Sequence, residues 1–203
     1  MSANVWFTSD VHFGHEYVAR LRGFDTAAEH DEAVCDALHG HIGPKDTVWW
    51  LGDLATSAPG RALSFIGALE ATHHLVAGNH DRVHPMHRKA HNHQRDYLEV
   101  FASVSAAARR RIDRREVLLS HFPYDTGDDQ ADHPAADGTP QVRHTQWRLP
   151  DEGRWLLHGH THLADQVRHD HQIHVGWDAW SRPVHLDEIA ELIRQGEQGG
   201  SAA

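Results

Sequence analysis

The sequence predicts an α/β (α+β) fold, a four-layer αββα sandwich in which two mixed sheets pack face to face with helices outside. Three observations predict it. The first half of the chain alternates short apolar runs with amphipathic helical stretches, the pattern of βα units. From about residue 100 onward the runs are strand-like, with little helix between them. Polar clusters recur at the C-terminal ends of the expected strands, where open α/β sheets place their ligands.

Residues 4–9 read as a buried strand, with Val5, Trp6 and Phe7 ending at Ser9-Asp10. A helix is expected over 26–41, because Thr26 and Glu29 have capping-box spacing and Ala33, Ala37 and Leu38 form an apolar stripe. Gly43-Pro44 stops it. Residues 47–51 (TVWWL) form the next strand, 61–71 an amphipathic helix with Leu63, Phe65, Ile66 and Leu69, and 73–77 (HHLVA) a third strand. A helix is expected near 86–98. Strands follow at 100–104, 116–120, 154–157 and 172–175. Residues 127–146, rich in Asp, Ala, Pro and Gly, read as a long loop, a feature that is usually functional or disordered. A short helix at 186–194 closes a single domain of residues 1–195, leaving 196–203 as a disordered tail.

Composition narrows the function. A chain of 203 residues suffices for one self-sufficient core. Its single cysteine, Cys35, excludes a disulfide framework, and residues 1–20 contain no apolar run of signal or membrane-spanning length. The expected setting is cytoplasmic, with no membrane partner. A formal net charge of −10 argues against an extended duplex nucleic-acid partner. The 22 histidines exceed what one site can use, so spacing must identify ligands.

Five short blocks each end an expected strand: Asp10-Val11-His12, Gly52-Asp53, Gly78-Asn79-His80-Asp81, Ser120-His121 and Gly159-His160-Thr161-His162. Each alone has an ordinary explanation; Asp53 could be a turn aspartate and His121 a buried structural histidine. If the backbone stays near-extended, residues two apart point the same way, so Asp10 can converge with His12 and His160 with His162. The glycines at 52, 78 and 159 permit tight turns and close approach of the backbone to a metal or phosphate.

Together and in this order, the blocks resemble the signature of the calcineurin-like metallophosphoesterase superfamily. The resemblance implies two divalent cations at the strand C-terminal ends, Mn²⁺ favoured over Fe²⁺ or Zn²⁺. Asp10, His12 and His162 would bind one cation, Asn79, His121 and His160 the other, and Asp53 both. Mixed histidine, carboxylate and amide ligation is too nitrogen-rich for magnesium. Two cations roughly 3.5–4 Å apart can bind a phosphoryl oxygen and acidify a bridging water, whose hydroxide attacks phosphorus. His80 resembles the superfamily histidine that contacts phosphate or protonates the leaving group, with Asp81 orienting its ring. The run from Trp6 to His15 (WFTSDVHFGH) resembles the N-terminal block of a compact bacterial and phage branch, which makes His15 a substrate-contact candidate. Arg143 and His144, at the end of the long loop, are candidates to reach the metals from a lid.

Departures from the superfamily's subgroups narrow the substrate. No arginine follows Gly52-Asp53 where protein phosphatases carry one, no tyrosine stands near Asp53 as in purple acid phosphatases, and the chain is too short for a nuclease capping domain. What remains is a small phosphoester or nucleotide, with a phosphodiester favoured over a phosphomonoester because no basic clamp is evident. The alternatives are a nuclease on single strands and an inactive metal-binding scaffold. The oligomeric state is left open.

Overall fold

The computed structural model describes residues 3–57, 59–125, 133–134, 140–141, 143–168 and 171–200. The chain is a mixed α/β protein with two mixed sheets. In the first half, β1 (Val5–Thr8), β2 (Thr47–Trp50), β3 (Thr72–Val76) and β4 (Ser103–Ser105) alternate with α1 (Glu16–Leu21), α2 (Ala27–His41), α3 (Pro59–Ala68) and α4 (Gln94–Leu98). Then come β5 (Ala107–Ile112), β6 (Arg115–Ser120), a small pair β7 (His133–Pro134) and β8 (Pro140–Gln141), β9 (Trp155–His158), β10 (Val167–Arg168) and β11 (Gln172–His174). The turn of helix α5 (Trp177–Trp180), β12 (Val184–His185) and α6 (Leu186–Gly200) complete the chain.

The first sheet has the order β12-β1-β2-β3-β4 and the second β10-β11-β9-β6-β5. Pairing is parallel among β1 to β4 and among β11, β9 and β6, while β12, β10 and β5 are antiparallel edges. In-register pairs such as Trp6 with Val48 and Val48 with His73 send alternate residues to two cores. Trp6, Val48, Trp50 and Leu75 pack with Val34 and Leu38 of α2 and Ala62 and Ile66 of α3. Phe7, Trp49, Leu51 and Val76 pack with Val117 and Leu119 of β6, Leu157 of β9 and Ile173 of β11, so the sheets share a core. Ile189, Ala190 and Ile193 of α6 belong to that same core, and the helix contacts β1, β5 and β12. Among the described residues no helix is long and apolar enough to cross a membrane.

Local chemistry explains most element boundaries. Thr26 Oγ1 accepts from Glu29 N at 3.2 Å, but the Glu29 carboxylate reaches back to Asp25 N, one residue beyond the expected box. The helix expected near 86–98 shrinks to α4 and a 3-10 turn over Ala90–Asn92. Pro85 interrupts it, and residues 81–90 instead form successive i to i−3 turns that lay His87 against the Asn79 carbonyl. The strand expected at 100–104 begins only at Ser103, because the N–H groups of Val100 and Phe101 are still bonded to Tyr97 O. α1, α5 and the strands β5, β7, β8, β10 and β12 were not expected. The disordered tail expected from residue 196 is corrected over its first part, since α6 runs on to Gly200 and Arg115 pairs with Glu197. Residues 201–203, and most of the 127–146 loop, lie outside the described residues. Within that loop β7 pairs with β8, and a 3-10 turn follows at Thr145–Trp147.

Candidate metal centre

The parallel strands deliver their terminal residues to one place. Beyond the last ladder bonds, Asp10 N donates to Gly52 O at 3.0 Å and His12 N to Asp53 O at 3.1 Å, so the segments after β1 and β2 run on side by side. Gly159 N donates to His121 O at 3.0 Å, joining the ends of β9 and β6 in the same way. His160 N then donates to both Asp10 carboxylate oxygens, at 3.2 and 3.0 Å, across the gap between the sheets.

The expectation of near-extended backbone at the paired residues does not hold. Asp10, His12, Asp53, His160 and His162 all have positive φ, between 49° and 71°. A left-handed conformation costs an ordinary residue about 1–2 kcal/mol. Five such residues at one cluster concentrate strain where function commonly resides. The turns still converge the side chains, by a route that the two-residue period does not supply.

Ligand atoms of Asp10, His12 and His162 lie within 4.8 Å of one another, and so do those of Asp10, Asp53 and His121. His12 Nε2 stands 3.1 Å from His162 Nε2 and 3.8 Å from Asp53 Oδ2. His121 Nε2 is 3.5 Å from Asp53 Oδ2 and 3.1 Å from Asn79 Oδ1. The His160 ring lies 5.1 Å from that of His121. Six of the seven candidate ligands therefore bring a ligand atom to this cluster, with Asp10 also sharing the group that holds Asp53 and His121, while the His160 ring lies beside it and outside both groups.

The donor set fits divalent cations on electrostatic grounds. Asp10 and Asp53 are both buried, at 0% and 2% exposure. Burial, and then the Asp10 charge, push the Asp53 carboxyl well above its ordinary range. Burial would raise Asp10 as well, but His162, His121, His174 and the Ser9 hydroxyl hold it below its ordinary value. Two carboxylates set against each other in a buried site are relieved by bound positive charge. Burial drives His12 and His121 downward, so both rings are neutral and have a lone pair to offer.

Other groups fix these rings. His121 Nδ1 bonds the Leu51 carbonyl at 2.7 Å, which turns Nε2 toward the cluster. His162 Nδ1 is 2.7 Å from Asp178 Oδ2. Arg22 grips the same carboxylate through Nε at 2.9 Å and a terminal nitrogen at 2.7 Å, and also bonds the Asp10 carbonyl at 2.8 Å. Replacing Asp178 with asparagine is expected to weaken one bound cation by about 10–100-fold and to leave the other nearly unchanged, as read by metal titration.

Asp81 requires a correction. Its carboxylate does not orient His80; it accepts from Asp53 N at 2.9 Å, Leu54 N at 3.1 Å and Gly78 N at 2.7 Å. It clamps two ligand-bearing turns together. Burial, then the Asp53 charge, push it up to about 7. His80 is more open. Its backbone N donates to Asp53 Oδ1 at 2.8 Å, and its Nε2 lies 3.9 Å from Asp53 Oδ2 at the solvent-facing side. Burial and the neighbouring His121 and His15 push its ring down to about 4.

His15 caps α1, its Nδ1 accepting from Val18 N at 3.4 Å, with its ring 5.6 Å from that of His12. It borders the cluster. Arg143 is exposed, and its carbonyl accepts from Arg148. Its neighbour His144 is the one whose ring comes within 5.6 Å of His160. Arg22, Asp178 and His87 were missed. For Asp178 the signal was available, since Gly176-Trp177-Asp178 follows an apolar strand as Gly52-Asp53 does.

No protein-family model matches the chain. It is 43% identical over 205 residues to the Gene 66 protein of Mycobacterium phage L5, covering 94% of each chain. The Gene 66 protein of Mycobacterium phage D29 is 40% identical over 208 residues, covering 97% of this chain and 99% of that one. Among solved structures, a protein of unknown function from Aquifex aeolicus is 25% identical with a TM-score of 0.64, covering 95% of this chain and 100% of that one.

Proposed function

The chain belongs to the family of the mycobacteriophage Gene 66 proteins, and for this member we propose a metal-dependent phosphoesterase of the calcineurin-like type that acts on small phosphoesters, with diesters preferred. One observation carries the reading: five sequence blocks far apart in the chain meet as a largely buried cluster of imidazoles and two opposed carboxylates. The same reading takes α2, α3 and the two sheets as layers of an αββα sandwich, with α6 set into the core that the sheets share. The shared inner core and the helices packed on the far face of the first sheet support it.

Asp10, His12 and His162 would hold one divalent cation and Asn79, His121 and His160 the second, with Asp53 between them. Bound there, a cation pair would supply Lewis acidity to a phosphoryl oxygen and would lower the pKa of water so that hydroxide is available to attack phosphorus. The remaining work falls to the chain. Leu51 O and Asp178 hold His121 and His162 in orientation. Asp81 keeps Asp53 and Asn79 on adjoining turns. His80, at the mouth of the cluster, can donate a ring N–H to a phosphoryl oxygen or to the leaving group.

The test is hydrolysis of an aryl phosphodiester and an aryl phosphomonoester after chelation and then addition of Mn²⁺. Turnover that vanishes on chelation and returns with metal is expected, the diester reacting faster. His80→Ala is expected to lower turnover about 10²–10⁴-fold while both metals still bind. A folded protein that binds two metals and cleaves neither these substrates nor a nucleotide panel would mark a metal-binding scaffold.

A further inference from the structure

At the opposite end of β6 from the metal cluster, the edge of the second sheet gathers positive charge. Five of the chain's 19 lysines and arginines fall within residues 109–115, in a protein of formal net charge −10. β5 is an edge strand, so its alternation divides them. Arg109 and Arg111 are exposed on one face, while Arg110 turns inward with its guanidinium carbon 5.5 Å from the Trp49 ring centre. Arg114 stands in the turn to β6. These four arginines and Glu116 line a concavity of about 390 Å³.

Neutralisation is incomplete. Glu116 pairs with Arg109 at 3.0 Å and with Arg154 at 3.6 Å, and Arg115 pairs with Asp113 and Glu197. Arg111 and Arg114 have no acidic partner among the described residues, and the Arg110 Nε is buried without a hydrogen bond.

We propose that this hairpin binds the phosphodiester backbone of a single-stranded nucleic acid, at a site separate from the metal cluster. Guanidinium forks match phosphate oxygens in pairs, and unneutralised ones gain most from such a ligand. Arg109 and Arg111 are two residues apart on an extended strand, roughly 6.7 Å, so the row presents repeated charges to a repeating anion. It is one strand wide, and the acidic remainder of the surface disfavours a duplex. Ala107 pairs with Ser120, the residue before His121. The strand therefore starts beside the metal cluster, and the arginines lead away from it to the turn, about 16 Å and five strand steps on. Edge arginines also keep a strand from pairing with another chain. The test separates the two uses. The proposal does not rest on the phosphoesterase reading.

The probe is a short labelled oligothymidylate with hydrolysis-resistant phosphorothioate linkages, followed by fluorescence anisotropy with the intact chain over a salt series. Binding that weakens with salt is expected. In R111A/R114A, whose folding is checked by thermal melting, affinity is expected to fall about tenfold or more, and the salt slope by roughly 1.4, at about 0.7 per lost phosphate contact. Three results would each overturn the site: no binding to the native chain at low salt, unchanged affinity and slope in the variant, or binding of tripolyphosphate or an acidic peptide without the oligonucleotide. Self-association of the variant at unchanged oligonucleotide affinity would assign the arginines to edge protection and overturn it as well. Hydrolysis of an aryl phosphodiester by the same variant is expected to be unchanged, so a failure of the catalytic reading appears in that assay and not in the anisotropy.

Discussion

Asparagine in place of Asp53 is expected to move activity and metal-free stability in opposite directions. Turnover should fall by at least about 10²–10³-fold, the scale of removing one preorganised electrostatic contact from a reacting centre. Metal titration should show weakened binding, because Asp53 faces both His12 and His121. The backbone is expected to be undisturbed. Asparagine tolerates the left-handed φ of 54° found there, and its amide oxygen can still accept from His80 N. In the metal-free protein the substitution removes one of two opposed buried carboxylates, and a gain on the order of 1 kcal/mol is expected.

A pH series sharpens the second half of that expectation. Folding raises the Asp53 carboxyl well above its ordinary value and raises Asp81 to about 7. A carboxyl whose pKa rises on folding holds its proton more tightly in the folded state. Its stabilisation is complete below the ordinary carboxylate range and is lost as pH climbs through the raised value. The stability of Asp53→Asn relative to native, both metal-free, should therefore rise from about pH 4 to pH 7 and beyond in urea unfolding, while the histidines that folding lowers, His12, His80 and His121 among them, give both proteins the opposite slope below about pH 6.5. A variant that is less stable than native without metal, or that keeps full turnover, would contradict the proposed placement of Asp53 between two cations.

The strands that carry the cluster were readable because each is a short apolar run cut off by a polar residue: Val5 to Phe7 before Ser9-Asp10, Val48 to Leu51 before Asp53, Leu118 and Leu119 before His121. Burial on both faces of a parallel strand leaves that mark in any sequence. The conformation of the candidate ligands was not readable. Positive φ at Asp10, His12, Asp53, His160 and His162 arises from bonds between separate strand ends, such as Asp10 N to Gly52 O, which no local pattern encodes. β5 escaped because Arg110 occupies an inward position where alternation demands an apolar residue, and its ring contact with Trp49 makes this tolerable only in the fold. Asp81 looked like a partner for the imidazole beside it in sequence. Backbone N–H groups from two turns are the stronger claim on a buried carboxylate, and three of them take it.

Alanine at Gly159 is expected to be among the most damaging single methyl groups that can be added to this protein. Its Cβ would stand 2.0 Å from Ser9 Oγ and 2.3 Å from Asp10 Oδ2. Neither neighbour can retreat, since Ser9 Oγ is bonded to Leu51 O at 2.8 Å and the Asp10 carboxylate receives His160 N at 3.0 Å. Overpacking a core commonly costs about 1–3 kcal/mol, and this overlap falls on buried, hydrogen-bonded groups, so a loss of about 3 kcal/mol or more is expected in urea unfolding. Metal binding should weaken, because Asp10 would hold one cation and its carboxylate also stands beside Asp53 and His121. Gly153→Ala supplies the control. That glycine has a φ of +79° with nothing within 4 Å of the added carbon, so its cost is conformational alone, about 1–2 kcal/mol, with metal binding unchanged. If the two variants lost equal stability and kept equal metal affinity, the close approach of β9 to Asp10 would not be what holds that carboxylate in place. If only Gly159→Ala loses its metals, the space withheld at residue 159 is as much a part of the centre as the ligands are.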